Sequence, residues 1–379
     1  MTIEIESVDE LIAHVARAGQ LRGVVVQGLD LTGGAAAQAL LSVSAEGAHF
    51  LGCRLTPPVQ HHLRQTGATL FPVFDDLPFN PYRAALYTPE ALMHGYERGR
   101  RESLAATTDG RIYAHFAAHH RADAPPPILV SLAYRIHDHA IDNALHNLLY
   151  PADSPPRHVV GVMGGHGLRR DADAFGQVAR VARRLGRQGY FIASGGGPGA
   201  MEAANLGAYM AAYDEADLEA ALRRLAAQPR YSDPLYFEKA YEVREAYPDG
   251  QASLAIPTWF YGHEPTNLFS LHIAKYFANS LREDGLLAIA RHGVVYAPGS
   301  AGTVQEVFMD AAQNHYVTFG AISPMVFLGA DYWMRRKPVY PLLTALAEGR
   351  PYADMLALCD DEEAVVRFIV EHEPIYDAA

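Results

Sequence analysis

Short apolar runs alternate with helix-like stretches along the chain from residue 158 onward. The stretch 173–188 places its apolar residues on one helical face, and a second helical stretch begins near Ala200. The runs between them are continuously apolar, which is typical of strands that helices cover on both faces of a parallel sheet. The pattern predicts an α/β domain over residues 156–379, built on a doubly wound parallel sheet.

The later part of this domain continues the alternation. Strands are predicted at 254–256, within 269–277, at 293–296 and at 324–328, and helices at 280–290, 341–348 and 361–372. Residues 214–250 are polar and irregular apart from a helical piece at 218–226, so we interpret them as an insertion or lid.

The first 155 residues lack this rhythm. Ser7 and Glu10 form a helix-capping signal, and strand-like runs follow at 23–29, 48–55 and 69–74. The similar segments VVQGLDLT and FLGCRLT resemble two solenoid rungs, but two rungs are too few for a repeat, and ordinary strands are favoured. Helical pattern resumes at 89–98 and 129–149. We therefore expect an additional N-terminal α+β domain at 1–155, ending in the proline-rich linker 151–156.

Composition and charge narrow the function. A chain of 379 residues is long enough for about two domains. The formal net charge of −12 argues against nucleic acid as the main partner, because phosphate backbones require a basic surface. Cys53 and Cys359 lie far apart, without metal-type spacing, which favours a reducing compartment. Because no signal peptide and no apolar run of about 20 residues is present, we expect a cytoplasmic protein without a membrane partner.

Three glycine-rich turns each follow a predicted strand of the second domain. They span 161–167, 194–202 and 298–306. Glycine lets a backbone approach a ligand closely, and a helix that begins there directs N–H groups and a positive dipole end toward it. The turns predict a phosphate-bearing ligand at the carboxyl edge of the sheet. The expected phosphate- and ribose-binding residues are Gly164, Gly165, Gly195, Gly196, Gly197, Gly199, Glu202, Pro298, Gly299, Ser300, Ala301, Gly302 and Thr303.

Other ligand classes fit the sequence less well. A dinucleotide site requires an acidic residue at the end of the second strand, where this chain has Ala193 and Ser194. The phosphate-binding loop of nucleotide triphosphatases and the nucleophile elbow of hydrolases are both absent. His115 and His119, and the run 137–139, have no third ligand at a suitable spacing, so no metal site is predicted.

The segments 194–205 and 298–306 resemble the motifs of the Lonely Guy (LOG) family, and the resemblance extends over about residues 158–375. This family consists of nucleoside 5′-monophosphate phosphoribohydrolases, formerly mislabelled lysine decarboxylases. The layout also looks like that of the larger bacterial nucleotide nucleosidases, which carry an extra N-terminal domain. Ser300 replaces a glycine of the family pattern. The family arginine corresponds to Arg282, one residue from its usual spacing, with Arg291 as the alternative.

The resemblance implies a Rossmann-like fold and a homodimer or larger homo-oligomer. It also implies hydrolysis of the N-glycosidic bond, without a cofactor or metal. Glu306 would stabilise the oxocarbenium-like ribose, Arg282 would hold the phosphate or neutralise the departing base, and Glu202 would bind ribose. The N-terminal domain would tune this activity. A non-catalytic nucleotide sensor on the same fold would use the same glycines, so that alternative stays open.

Overall fold

The computed structural model describes residues 3–121, 124–262 and 264–376. The chain divides into two compact units, and both are discontinuous in sequence. The smaller unit comprises Met1–Leu86 and His119–His146, and the larger comprises Tyr87–Ala118 and Asn147–Ala379. Each helix of the described residues is too short or too polar to cross a membrane.

The secondary-structure elements are numbered in chain order. The helices are α1 (Val8–Ala18), α2 (Gly34–Leu41), α3 (Pro57–Gln65), α4 (Pro89–Met93), α5 (Thr108–His119), α6 (Ile128–Leu149), α7 (Asp173–Arg187), α8 (Ala200–Tyr209), α9 (Glu215–Ala226), α10 (Tyr236–Ala246), α11 (Asn279–Ile289), α12 (Ala301–Tyr316), α13 (Val339–Ala347) and α14 (Glu362–Glu371). The strands are β1 (Ile3–Ile5), β2 (Val24–Gln27), β3 (His49–Leu51), β4 (Thr69–Leu70), β5 (Val159–Met163), β6 (Phe191–Ser194), β7 (Leu254–Ala255), β8 (His272–Ile273), β9 (Val294–Tyr296), β10 (Ala321–Ile322), β11 (Met325–Leu328), β12 (Leu356–Cys359) and β13 (Ile375–Tyr376).

A seven-stranded parallel sheet forms the centre of the larger unit. Its strand order is β12-β11-β9-β5-β6-β7-β8. The chain runs outward from β5 to β8 and then returns to β9 on the other side of β5. This reversal creates a topological switch point between β5 and β9, where ligands bind in open α/β sheets. The predicted doubly wound sheet is confirmed, and the fold is Rossmann-like.

Helices α7 and α8 pack closely over the sheet. The apolar face predicted for α7 is buried, including Phe175, Val178 and Val181. Gly207 of α8 lies against the backbone of α7, and a Cβ atom there would overlap the Ala179 carbonyl oxygen. The small residue therefore permits the close approach that covers β5 and β6.

The segment 214–250 and the strand β12 of the larger unit differ from the sequence prediction. The polar segment 214–250 contains two helices, because Asp214 and Asp217 form a capping box for α9, while Tyr236 and Phe237 bury the apolar side of α10. Strand β12, which pairs with β11 at the edge of the sheet, was not predicted. Its residues are half-buried and form only a short apolar run, which is a weak strand signal.

The smaller unit contains a parallel sheet in the sequential order β1-β2-β3-β4. Helices α1, α2 and α3 connect successive strands, so the α+β arrangement expected for this region is corrected to alternating α/β. The similar segments noted in the sequence are successive strand–helix units: Val25 pairs with His49, and Asp30 forms a bridge with Arg54. Parallel pairing requires these helical crossovers.

Residues 87–118 belong to the larger unit, so a single boundary near residue 155 does not describe the division of the chain. Tyr87 exchanges backbone hydrogen bonds with Ile273 of β8. Asp109 of α5 is buried in the same unit, where it accepts hydrogen bonds from Trp259 Nε1 at 2.8 Å and Thr266 Oγ1 at 3.0 Å. Lys275 Nζ lies 2.9 Å from Asp109 Oδ1. This network joins α5 to the segment that follows β7.

Replacing Lys275 by methionine tests how much this network contributes to stability. The side chains of Lys275 and Asp109 are each 1% exposed. Removing the ammonium takes away a positive charge that lies 2.9 Å from a buried carboxylate, and breaking a buried ion pair in this way costs about 3–5 kcal/mol. Urea unfolding should show a loss of this size for Lys275→Met. Lys239→Met, which breaks the more exposed pair with Glu242, should cost at most about 1 kcal/mol. Equal losses in the two variants would contradict the assignment.

Candidate active site

A cavity of about 500 Å³ lies at the carboxyl edge of the large sheet, beside the switch point. The turns that follow β5, β6 and β9 all contribute to its wall, and α11 supplies Arg282 and Glu283. The sequence-predicted site residues that line it are Gly164, Gly165, Gly195, Arg282, Ser300, Ala301, Gly302, Thr303 and Glu306. The structure therefore brings residues from all three glycine-rich turns to one place.

Direct packing between the turns forms this arrangement. The N–H of Gly165 donates to the Pro298 carbonyl at 3.0 Å, and the N–H of Ala200 donates to the Gly165 carbonyl at 3.1 Å. Gly199 has a φ of +73°, and a Cβ there would overlap the Gly165 carbonyl oxygen. A Cβ on Gly164 would lie 2.5 Å from that of Ala200. These glycines are required by turn-to-turn packing, which shapes the cavity.

The N-terminus of α12 faces the cavity. The N–H of Val304 is the first in this helix to donate within it, to the Ser300 carbonyl, so the preceding amides have no intrahelical acceptor. Gly302 and Thr303 line the cavity, and open space surrounds the position that a Cβ on Gly302 would occupy. Free N–H groups and the positive end of a 16-residue helix favour an anion here.

Arg282 and Glu306 form the charged pair of the cavity. Arg282 Nη1 lies 3.4 Å from Glu306 Oε1, and Arg282 Nε donates to the Ile256 carbonyl at 3.0 Å. A Cβ on Gly195 would overlap the guanidinium, so this glycine makes room for Arg282. Burial raises the pKa of Glu306 above its usual range, the guanidinium of Arg282 opposes that shift, and the charge of Glu283 adds to it.

Two further carboxylates line the cavity, although the sequence motifs did not predict them as site residues. Glu283 accepts hydrogen bonds from Tyr261 at 3.2 Å and from Gln305 Nε2 at 3.0 Å. Glu264 belongs to the segment joined to α5 through Lys275, whose Nζ donates to the Glu264 carbonyl at 3.3 Å. Glu283 could have been predicted as a site residue because it directly follows Arg282 in the sequence. Glu264 lies in a loop that carries no recognisable motif.

Asp310 lies one turn beyond Glu306 on α12 and is fully buried. Tyr296 donates a hydrogen bond to its Oδ2 at 2.7 Å. Burial raises the pKa of Asp310 to about 7. Near neutral pH this carboxyl is therefore partly protonated, and it adds less negative charge behind Glu306 than an ordinary aspartate would.

Several predicted site residues do not line the cavity. Glu202 is buried, accepts a 2.8 Å hydrogen bond from Arg170 Nε and a 2.7 Å bond from the Tyr236 hydroxyl, and so links α8 to α10. The alternative arginine, Arg291, bonds weakly to the Ala288 carbonyl. Five other predicted residues belong to the glycine-rich turns but do not line the cavity: Gly196, Gly197, Gly199, Pro298 and Gly299.

The histidine run noted in the sequence lies in the smaller unit. His137 Nδ1 is 3.1 Å from Asp138 Oδ1, and both side chains are buried. Burial lowers the pKa of His137, against the opposing effect of Asp138. No cluster of three metal-ligating side chains occurs within 3–121, 124–262 and 264–376.

Comparisons with known proteins show only distant likenesses. The sequence matches no family profile. It also matches no curated protein sequence. Similar solved structures include the molybdenum cofactor binding protein of the phototrophic bacterium Rippkaea orientalis, with 13% identity, a TM-score of 0.38, and coverage of 57% of this chain and 98% of that one. Another is the molybdenum cofactor carrier protein of Chlamydomonas reinhardtii, with 14% identity, a TM-score of 0.36, and coverage of 57% and 97%. Likenesses at this level do not identify a ligand of this chain.

Replacing Gly302 by leucine tests the cavity as an anion site. Because open space surrounds the Cβ position at Gly302, and Gly302 lines the cavity, a leucine side chain there would be added beside the predicted phosphate position without a backbone clash. We expect at least a tenfold loss of affinity for adenosine 5′-monophosphate, measured by titration calorimetry, with an unfolding free energy close to that of the wild type. Gly285→Leu, also in open space but on α11 away from the cavity, is the matched control and should bind normally. Unimpaired binding by Gly302→Leu would exclude this site.

Proposed function

We propose that this chain hydrolyses the N-glycosidic bond of a nucleoside 5′-monophosphate, releasing free base and ribose 5-phosphate, as LOG-family enzymes do. One observation carries the proposal. A largely buried carboxylate with an arginine partner, Glu306 and Arg282, lines the same cavity as the free amides at the N-terminus of α12. An anion site beside a carboxylate suits this reaction, because it can hold the phosphate while the carboxylate stabilises positive charge on the ribose.

The 5′-phosphate would bind at the N-terminus of α12. The amides of Gly302 and Thr303 donate to it, and the hydroxyls of Ser300 and Thr303 add further donors. Lys337 Nζ lies 3.2 Å from Ser300 Oγ and 3.1 Å from the Gly299 carbonyl, so it holds this turn and adds positive charge beside it. Binding energy from the phosphate then positions the ribose for the chemical step.

Glu306 would act on the ribose. As the bond from C1′ to the base nitrogen breaks, its electron pair leaves with the base, and positive charge develops on the ribose. The carboxylate of Glu306 stabilises that charge and orients the attacking water. The water oxygen forms the new bond to C1′, and the proton that the water loses is balanced by the proton that the base nitrogen gains, so that one water molecule is added across the broken bond. Arg282 positions Glu306 and neutralises charge on the departing base.

The ribose hydroxyls require acceptors, and Glu283 and Glu264 supply them. Both carboxylates line the cavity, whereas Glu202 lies outside the cavity wall, where it pairs with Arg170 and Tyr236. We therefore assign ribose recognition to Glu283 and Glu264 in place of Glu202. Carboxylates accept hydrogen bonds from paired hydroxyls through two oxygens.

The remaining assignments follow from the LOG resemblance and the composition. We propose a homo-oligomer built from dimers, a cytoplasmic location, and a regulatory role for the smaller unit. A truncation that begins near Ser154 would remove residues 87–118, including Asp109, which the larger unit buries. The role of the smaller unit is better tested by substitutions within it than by such a truncation.

Replacing Glu306 by glutamine tests the chemical role. The amide keeps the size of the side chain but removes the charge that stabilises the ribose cation, so kcat should fall by about 10²–10³. Affinity for the nucleotide should change much less. Release of free base, followed by chromatography, gives kcat, and calorimetry gives the affinity. Glu348→Gln, at an exposed position on the end of α13, controls for the loss of one carboxylate. Normal base release by Glu306→Gln would remove this residue from the mechanism.

The pH dependence of kcat provides a second test. Glu306 acts as a carboxylate, and its pKa is raised, so activity should fall as the pH decreases through that raised value. The charge of Glu283 contributes to the shift. Glu283→Gln should therefore move the acidic limb of the kcat profile to lower pH.

Asp284→Asn removes one negative charge at the next, exposed position of α11 and should leave the limb in place. An acidic limb that does not move in Glu283→Gln would show that another group controls it.

A further inference from the structure

A second cavity of about 500 Å³ lies within the smaller unit. The four-stranded sheet has two faces. Ile5, Val24, Val26 and Phe50 point into the core beneath α1, α2 and α3. Since side chains alternate along a strand, the neighbouring residues point to the opposite face. That face and α6 enclose the cavity.

The floor and the roof of this cavity are mostly apolar. Val25 of β2, Leu51 of β3 and Phe71, which directly follows β4, supply most of the floor beside Gln27, and Ile136 and Ala140 of α6 supply the roof. Phe71 follows the edge strand β4, and it is 41% exposed although it lines this cavity. An aromatic ring that is accessible from a cavity offers a face on which a flat ligand can stack.

The two ends of the cavity carry opposite charges. Asn143 donates to the two carboxylate oxygens of Glu4 at 3.4 and 3.2 Å, which places Glu4 at that end. Arg135 lies two turns earlier on α6, about 12 Å away along the helix axis. Within the described parts of the chain its guanidinium has no acidic partner. His139 lines the cavity between the two ends.

We propose that this cavity binds a small aromatic anion. Its flat body lies between Leu51 and Phe71 on one side and Ile136 on the other, and its carboxylate or phosphate meets Arg135. The volume falls in the range of about 300–1,000 Å³ that is usual for small-molecule sites. The unpaired guanidinium selects the anion, and Glu4 accepts a hydrogen bond from an N–H or hydroxyl group at the far end. This site belongs to the smaller unit alone and does not depend on the proposed hydrolysis.

Two fluorescent probes separate the apolar and charged contributions. Anilinonaphthalene sulfonate is an aromatic anion, and N-phenylnaphthylamine is its uncharged counterpart. In titrations of the full chain, Arg135→Gln should weaken sulfonate binding by about tenfold and leave amine binding unchanged. Arg64→Gln, which removes an equally exposed arginine from α3, should alter neither.

A cavity-filling variant locates the bound probe. Leu51→Trp should weaken both probes, because the indole would occupy the floor of the cavity. Arg135 is exposed, so we expect Arg135→Gln to fold like the wild type, and its result stands if Leu51→Trp fails to fold. Sulfonate affinity that is unchanged in Arg135→Gln, or equal loss of both probes in that variant, would overturn the proposal. So would undiminished binding by a folded Leu51→Trp.

Discussion

The packing of three backbone turns against one another is the constraint on which the candidate site depends. Gly165 donates to the Pro298 carbonyl while its own carbonyl accepts from Ala200, so the turn after β5 is hydrogen-bonded to both others. A side chain on Gly199 would overlap this junction. The junction lies beside the switch point of the sheet, where the strand order leaves a crevice. Glycine acts here first as a packing residue, and the cavity follows from the packing.

Electrostatics then divides this cavity into two regions. The free amides of α12 favour an anion. The carboxylates of Glu306, Glu283 and Glu264 also line the cavity and make the rest of its wall negative. The guanidinium of Arg282 pairs with Glu306 in this cavity, and Gly195 leaves the space that it occupies. A ligand with an anionic group at one end and hydroxyl groups beyond it meets both regions. A nucleoside monophosphate has that form.

The central sheet and its glycine-rich turns were predictable because apolar periodicity and glycine runs are local signals. Glu202 shows where local reasoning ends. Its place in the first turn of a helix after a glycine run suggested a ligand contact, but Arg170 approaches from a distant part of the chain and pairs with it. The burial of Asp109 in the larger unit was equally inaccessible, since its partner Lys275 is remote in sequence. Charged residues that pair across remote parts of the chain leave no periodic pattern in the sequence.

The most direct test is to incubate the purified full chain with a panel of nucleoside 5′-monophosphates and the matching nucleosides, and to quantify free base and ribose 5-phosphate by chromatography. We expect equimolar release of both products from at least one monophosphate, with far slower release from its nucleoside. Tight binding of a monophosphate without any release of base would contradict hydrolysis and favour a nucleotide sensor. Equal rates on a nucleoside and its monophosphate would contradict the phosphate site at α12.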